Sequence, residues 1–235
     1  MIQLTLVAAL ACCMTPEVVE PDLKELLPGL RIAEGIVEFG GEIAVDAHHP
    51  DTPDVYLEMF VTAPDSREHE SIVVSRIKGS NLHAALLAAG FEPGAPLSRD
   101  ADGKLVNAHG DGLSITIATG ADDTAFVPIT DWVFHVDDET GITEAEKWGG
   151  FVFAGSRLTR RGYEADGTGT LVSLTSFGNE VIAPAWSLSH LAEIDEPVWI
   201  ANRELIPDKG TPVIVRIERE DGSHEPDRVD VDRDP

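Results

Sequence analysis

Short apolar runs with a period of two, broken by glycine, proline or asparagine, recur along most of this chain. Val55–Val61 puts Val55, Leu57, Met59 and Val61 on one face, and Leu113–Thr119 turns Leu113, Ile115 and Ile117 inward and Ser114 and Thr116 outward. With that period only an extended backbone collects the apolar side chains on one side. Further strands are predicted at Ile36–Phe39, Glu42–Ala47, Ser71–Ile77, Ala125–Ile129, Trp132–Val136, Phe151–Ala154, Leu171–Phe177, Glu180–Ala183 and Val213–Ile217. Gly40-Gly41 and Phe177-Gly178-Asn179-Glu180 read as hairpin turns, where glycine supplies positive φ. One helix stands out, with Ser80 as N-cap, Asn81–Ala89 mostly Leu and Ala, and Gly90 as terminator. Short helices are predicted from Thr143, which has capping-box spacing to Glu146, and over Ser187–Glu193. The fold class is therefore α+β and β-rich: a mainly antiparallel sheet, one clear helix at about 80–90, and one or two short helices.

No linker or repeat interrupts residues 33–217, which read as a single domain. Residues 14–32 form a polar lead-in broken by Pro21, Pro28 and Gly29, with room for one helical turn at Asp22–Leu27. From Glu218 to the end, eight acidic residues stand against three arginines with almost no apolar content, the composition of a disordered acidic tail over 218–235. At the other end, Ile2–Ala11 is apolar and runs into Cys12 and Cys13, the only two cysteines of the 235 residues. Residues 1–13 have the pattern of an export signal, and Ala9-Leu10-Ala11-Cys12 resembles a lipobox. Cys12 is then the lipidated residue, and Cys13 the alternative register. The competing reading is a buried N-terminal strand, since no Lys or Arg precedes the stretch. Export would place the protein in the periplasm or cell envelope, or secrete it. No apolar run reaches the roughly 20 residues of a spanning helix, so membrane attachment would act through the N-terminal lipid.

Charge excludes one class of partner. With 17 Lys and Arg against 42 Asp and Glu, the formal charge is −25, which repels nucleic acid. The densest polar cluster is Arg67-Glu68-His69-Glu70, between two apolar strands. Glu68, His69 and Glu70 have the chemistry of metal ligands or of an acid–base pair. In an extended segment, however, Glu68 and Glu70 face away from His69, so a structural ion-pair network around Arg67 is the alternative. His83, in the first turn of the helix, is placed either against that loop or against Leu87. His48-His49-Pro50-Asp51 offers weaker metal candidates, because this spacing is equally that of a polar loop. Asp100-Ala101-Asp102-Gly103 reads as a hairpin turn, since His109 stands where a calcium loop needs its glutamate. Glu164–Gly169 is turn chemistry. Gly155-Ser156-Arg157 contains a serine with no base supplied by the sequence. A cysteine-free body holds no iron–sulfur cluster, which takes about four thiolates. No cofactor is predicted beyond a divalent metal at the histidines named.

Taken in order, several segments carry a resemblance. They are Arg67-Glu68-His69-Glu70-Ser71-Ile72-Val73, His83 to Gly94, Asp131-Trp132, Phe151-Val152-Phe153-Ala154-Gly155-Ser156, Glu196-Pro197-Val198-Trp199 and Gly210-Thr211-Pro212-Val213. This order is similar to that of the YdjY-domain family of bacterial proteins, over about residues 30–217. The resemblance implies a single domain often found in exported or lipoprotein-like chains, and it implies no activity. The expectation is a binding or interaction module at the cell envelope. The alternatives are a metal-binding protein or metal-dependent hydrolase using Arg67–Glu70 with His83, and a purely structural lipoprotein module.

Overall fold

The structure, a computed structural model, describes residues 21–52, 54–120 and 125–220. The main sheet has eleven strands, of which ten form one continuous path: β1 Lys24–Leu27, β2 Leu30–Ala33, β3 Ile36–Ile43, β4 Met59–Thr62, β5 Ser71–Val74, β6 Gly112–Thr119, β7 Phe151–Phe153, β8 Thr170–Ser173, β9 Ile182–Pro184 and β10 Pro212–Arg219; the short strand Val127–Pro128 pairs with β6 beside that path. Eight of them run in the order β3-β10-β6-β7-β9-β8-β4-β5, and β5 returns to β3 through Glu42↔Val74 and Ile43↔Val73, closing a barrel. The pairings β4–β5 and β8–β9 are parallel and the remaining pairings of the ring antiparallel. β1 and β2 extend the sheet outward from β3. The β-rich, mainly antiparallel α+β reading holds. Barrel closure is additional, because it depends on a pairing between β3 and β5 that no local pattern announces.

The barrel core is continuous. β4, β7, β8 and β9 are buried at every residue, so both of their faces are covered. Phe60 meets Phe151 edge-on at 5.0 Å between ring centroids, a favoured aromatic geometry. Helix α1, Gly79–Ala88, buries Leu82, Ala85 and Leu86 against this assembly. Ser80 is not its N-cap: Lys78 holds that position, and the Ser80 backbone N–H and hydroxyl both donate to the Asp166 carboxylate, each at 2.7 Å. Asp166 lies on a five-residue helix, α2 (Glu164–Thr168), where turn chemistry alone was predicted.

Several expectations are corrected. The helical turn predicted at Asp22–Leu27 in the lead-in is absent: Lys24–Leu27 pairs with Leu30–Ala33 in the β1–β2 hairpin. Gly40-Gly41 is no hairpin turn: β3 passes straight through it. Glycine serves close approach there, because a Cβ on Gly41 would lie 2.5 Å from Val73 Cγ1. Phe177–Glu180 does not join a hairpin either, since β8 and β9 run parallel with Val172 opposite Ile182. The predicted helix at Thr143 is a single 3-10 turn, Ile142–Glu144, and Ser187–Glu193 contains no helix. β10 continues to Arg219, where Arg219 Nη1 donates to Asp111 at 2.5 Å, so the fold extends past 217. Asp100–Gly103 is the expected hairpin turn: Gly103 has φ +79°, and Ser98–Arg99 pairs with Leu105–Val106. The segment 1–13, where an export signal with Cys12 and Cys13 is predicted, and the tail from 221 with His224, lie outside the described residues.

Candidate functional site

Because β4 and β5 are parallel with Met59 opposite Ser71, the residues just before them, Glu58 and Glu70, become neighbours. The Glu58 N–H donates to the Glu70 carbonyl at 2.9 Å, which fixes the two backbones side by side. Glu68–Glu70 is one 3-10 turn, not an extended segment, so the alternation assumed for this loop does not apply. The turn separates the predicted cluster into different jobs. Glu68 Oε1 accepts from the Asp65 N–H at 2.8 Å, tying the loop to itself. His69 points outward, 78% exposed, with Nε2 3.5 Å from Glu70 Oε1. Arg67 and Glu70 turn toward Glu58: Arg67 Nη1 lies 2.6 Å from Glu58 Oε2 and 3.5 Å from Glu70 Oε2.

Glu58 and Glu70 form one wall of a cleft of about 80 Å³, with Glu196, Leu188, His190 and Trp199 on its other sides. Arg67 is not part of the lining; it approaches the carboxylates from behind. Its guanidinium stacks 4.5 Å from the centre of the Phe177 ring, and Phe177 stacks on His190 at 4.7 Å. The Glu58 carboxyl is raised from 4.5 to about 7, with burial the largest cause. The Glu70 charge is the second cause acting in that direction, and the Arg67 charge works against both. Near neutral pH the cleft thus holds a carboxyl group poised between its acid and its anion. Glu58 carries no signal in the sequence, because it is a lone carboxylate, and Glu196 is marked only within the segment Glu196-Pro197-Val198-Trp199, not as a site residue. The usable signal was the register of two parallel strands, which a single sequence does not print.

His83 goes elsewhere. Its Nδ1 lies 3.1 Å from the Gly155 carbonyl and 2.9 Å from the Tyr163 hydroxyl, and its ring meets Phe153 edge-on at 4.9 Å. None of these partners belongs to the Arg67–Glu70 loop, nor is Leu87 among them. Burial lowers the His83 pKa, with the bond to Gly155 acting in the opposite direction. Tyr163 donates to the same carbonyl at 2.8 Å, and burial, helped by the Asp166 charge, raises its pKa. Ser156 is used structurally: φ is +52°, and its hydroxyl donates to the Asn179 carbonyl while accepting from the Ala165 N–H. His48 Nε2 bonds the Ile206 carbonyl at 2.9 Å, and His49 Nδ1 accepts from the Asp51 N–H. His49 and His69 do line one shallow depression with Asp46 and Asp54. Among the described residues, no three His, Cys, Asp or Glu side chains group so as to hold a metal ion. No helix among them is long and apolar enough to cross a membrane.

Comparison with known protein families matches the YdjY domain over residues 33–218. No curated protein and no solved structure matches the chain.

Proposed function

The chain belongs to the YdjY-domain family, and from that premise we propose that it is an exported binding module of the cell envelope whose cleft at Glu58, Glu70 and Glu196 takes an alkylammonium group. The lining carries the argument. Three carboxylates and a tryptophan line a space of about 80 Å³, and the arginine beside them, Arg67, is already engaged by two of the three. A primary ammonium carries donors for carboxylate oxygens and is attracted to an aromatic face, while its alkyl stem suits Leu188. The volume fits the end of a side chain, so the ligand is a lysine-like group or an amino terminus presented by a larger partner. The overall charge of −25 favours approach of a cationic partner by long-range attraction.

Export rests on the sequence of Ile2–Cys12. Mass analysis of the mature amino terminus tests it: cleavage before Cys12 or Cys13 with added lipid supports an envelope lipoprotein, and an unprocessed Met1 contradicts export. For the cleft, n-butylamine, n-butanol and n-butyrate are titrated into the protein while the indole N–H signal of Trp199 is followed by NMR. The expected order is amine well above alcohol, with no binding of the carboxylate. The amine's affinity should increase as pH rises through about 7, because the cation selects ionised Glu58. The reading fails if the three compounds bind alike, or if Glu70→Gln leaves amine binding unchanged.

A further inference from the structure

Against an acidic surface, one end of the barrel carries a concentration of positive charge. β6 and β7 pair antiparallel with Gly112 opposite Val152, so the segment before β6 and the segment after β7 leave from the same end. Each forms a hairpin there. The first, Ser98–Arg99 with Leu105–Val106, carries Arg99 and Lys104; the second, Leu158–Thr159 with Gly162–Tyr163, is flanked and turned by Arg157, Arg160 and Arg161. Arg157 Nη2 joins the two by donating to the Leu97 carbonyl at 3.0 Å. All five bases are exposed, and none of them is in an ion pair among the described residues. The carboxylates on these hairpins are Asp100 and Asp102, with Asp100 Oδ1 held by the backbone N–H groups of Asp102 and Lys104, while Glu164 and Asp166 of α2 follow the second hairpin and line one depression with Arg161.

The same tips expose apolar side chains: Leu158 is 82% exposed, beside Leu105 at 43% and Val106 at 38%. We infer that this two-hairpin end docks on the surface of an anionic lipid bilayer, with Leu158 at the acyl boundary and the arginines at headgroup phosphates. The combination selects the partner. Bases alone would suit any polyanion, whereas bases around exposed leucine and valine suit a surface with phosphate above and hydrocarbon beneath. The protein's own acidic tail is a poor occupant, since Val229 and Val231 are its only large apolar residues. The inference is independent of the amine cleft, which lies at Glu58 and Glu70.

Vesicle flotation tests it with the full chain carrying Cys12→Ala and Cys13→Ala, so that no lipid is attached. Vesicles of phosphatidylcholine alone are compared with vesicles containing one-quarter phosphatidylglycerol. Binding is expected to the anionic vesicles only, falling as salt rises. Each arginine near such a surface contributes about fivefold, so Arg160→Ala with Arg161→Ala should weaken binding about 25-fold. Leu158→Ser should weaken it too, with an unchanged circular dichroism spectrum in both variants. Equal binding to both vesicle types, or anionic-vesicle binding that survives these substitutions, overturns the inference. So does binding of an acidic peptide that competes fully with vesicles and ignores Leu158→Ser.

Discussion

Replacing Glu58 with Gln gives a molecule that keeps the hydrogen-bonding shape of the neutral acid but cannot ionise. In the folded protein the Glu58 carboxyl titrates at about 7 against 4.5 as an ordinary side chain, so the native state holds this proton more tightly than the unfolded chain. The associated stability is fully present below 4.5 and is lost as pH rises through 7. Undiscounted, the shift corresponds to roughly 3 kcal/mol at 1.36 kcal/mol per unit. Glu58 is partly open to solvent, its side chain 21% exposed, so screening reduces this by about half. Between pH 5.5 and 8.5, the stability of Glu58→Gln relative to the parent should therefore improve by about 1 kcal/mol, or roughly 2–4 °C in melting temperature for a domain of this size. Urea unfolding at both pH values measures it, above the isoelectric point of about 4.4 where solubility is poorest. A difference that stays constant across this range, or that reverses sign, would show that burial and the Glu70 charge do not raise the Glu58 carboxyl.

Glu38, 1% exposed on β3, receives Arg31 Nη2 at 2.6 Å and Arg216 Nε at 2.5 Å, so Glu38→Ala should cost about 2–3 kcal/mol in urea unfolding; a cost below 0.5 kcal/mol would show that both arginines simply move to water. Gly41→Ala forces a Cβ against Val73 Cγ1 and should cost roughly 1–3 kcal/mol by the same assay, with Val73→Ala in the same chain recovering part of the loss. Phe60→Ala removes the edge-on partner of Phe151 from the barrel core and should cost about 3–5 kcal/mol, enough to broaden or abolish the thermal transition. Phe177→Ala should leave the fold intact but loosen Arg67 and His190, weakening amine binding severalfold in the NMR titration.

Elements whose stabilisation is local were legible in the sequence. The alternation in Leu113–Thr119 became β6, the Leu- and Ala-rich stretch before Gly90 became α1, and Asp100–Gly103 became its turn. What escaped notice depends on partners far along the chain. Gly40-Gly41 has the residues of a tight turn, yet β10 pairs along both sides of it and holds the strand extended. Lys24–Leu27 is too short and polar to announce a strand by itself and becomes one by pairing with Leu30–Ala33. The loop Arg67–Glu70 reads in the sequence as a polar cluster with an ion-pair network as one alternative, and that network is present between Arg67, Glu58 and Glu70. Arg67 is structural toward Glu58, and Glu70 faces the cleft. The sequence places His83 either against that loop or against Leu87, but α1 directs it to Gly155 and Tyr163 instead. Glu58 had no signal of its own; only the parallel register of β4 and β5 gives it a second carboxylate.

In the proposed function, Glu58 is a carboxyl held near neutrality in a cleft that takes a cation. Carbon-13 NMR of the glutamate side-chain carboxyls, with Glu58→Gln to assign the signal, measures this directly. Titration should show the Glu58 carboxyl ionising at about 7 in the free protein, and clearly lower when n-butylamine is present at saturating concentration. A Glu58 carboxyl that titrates in the ordinary range of about 4–4.5, unmoved by the amine, would contradict the account.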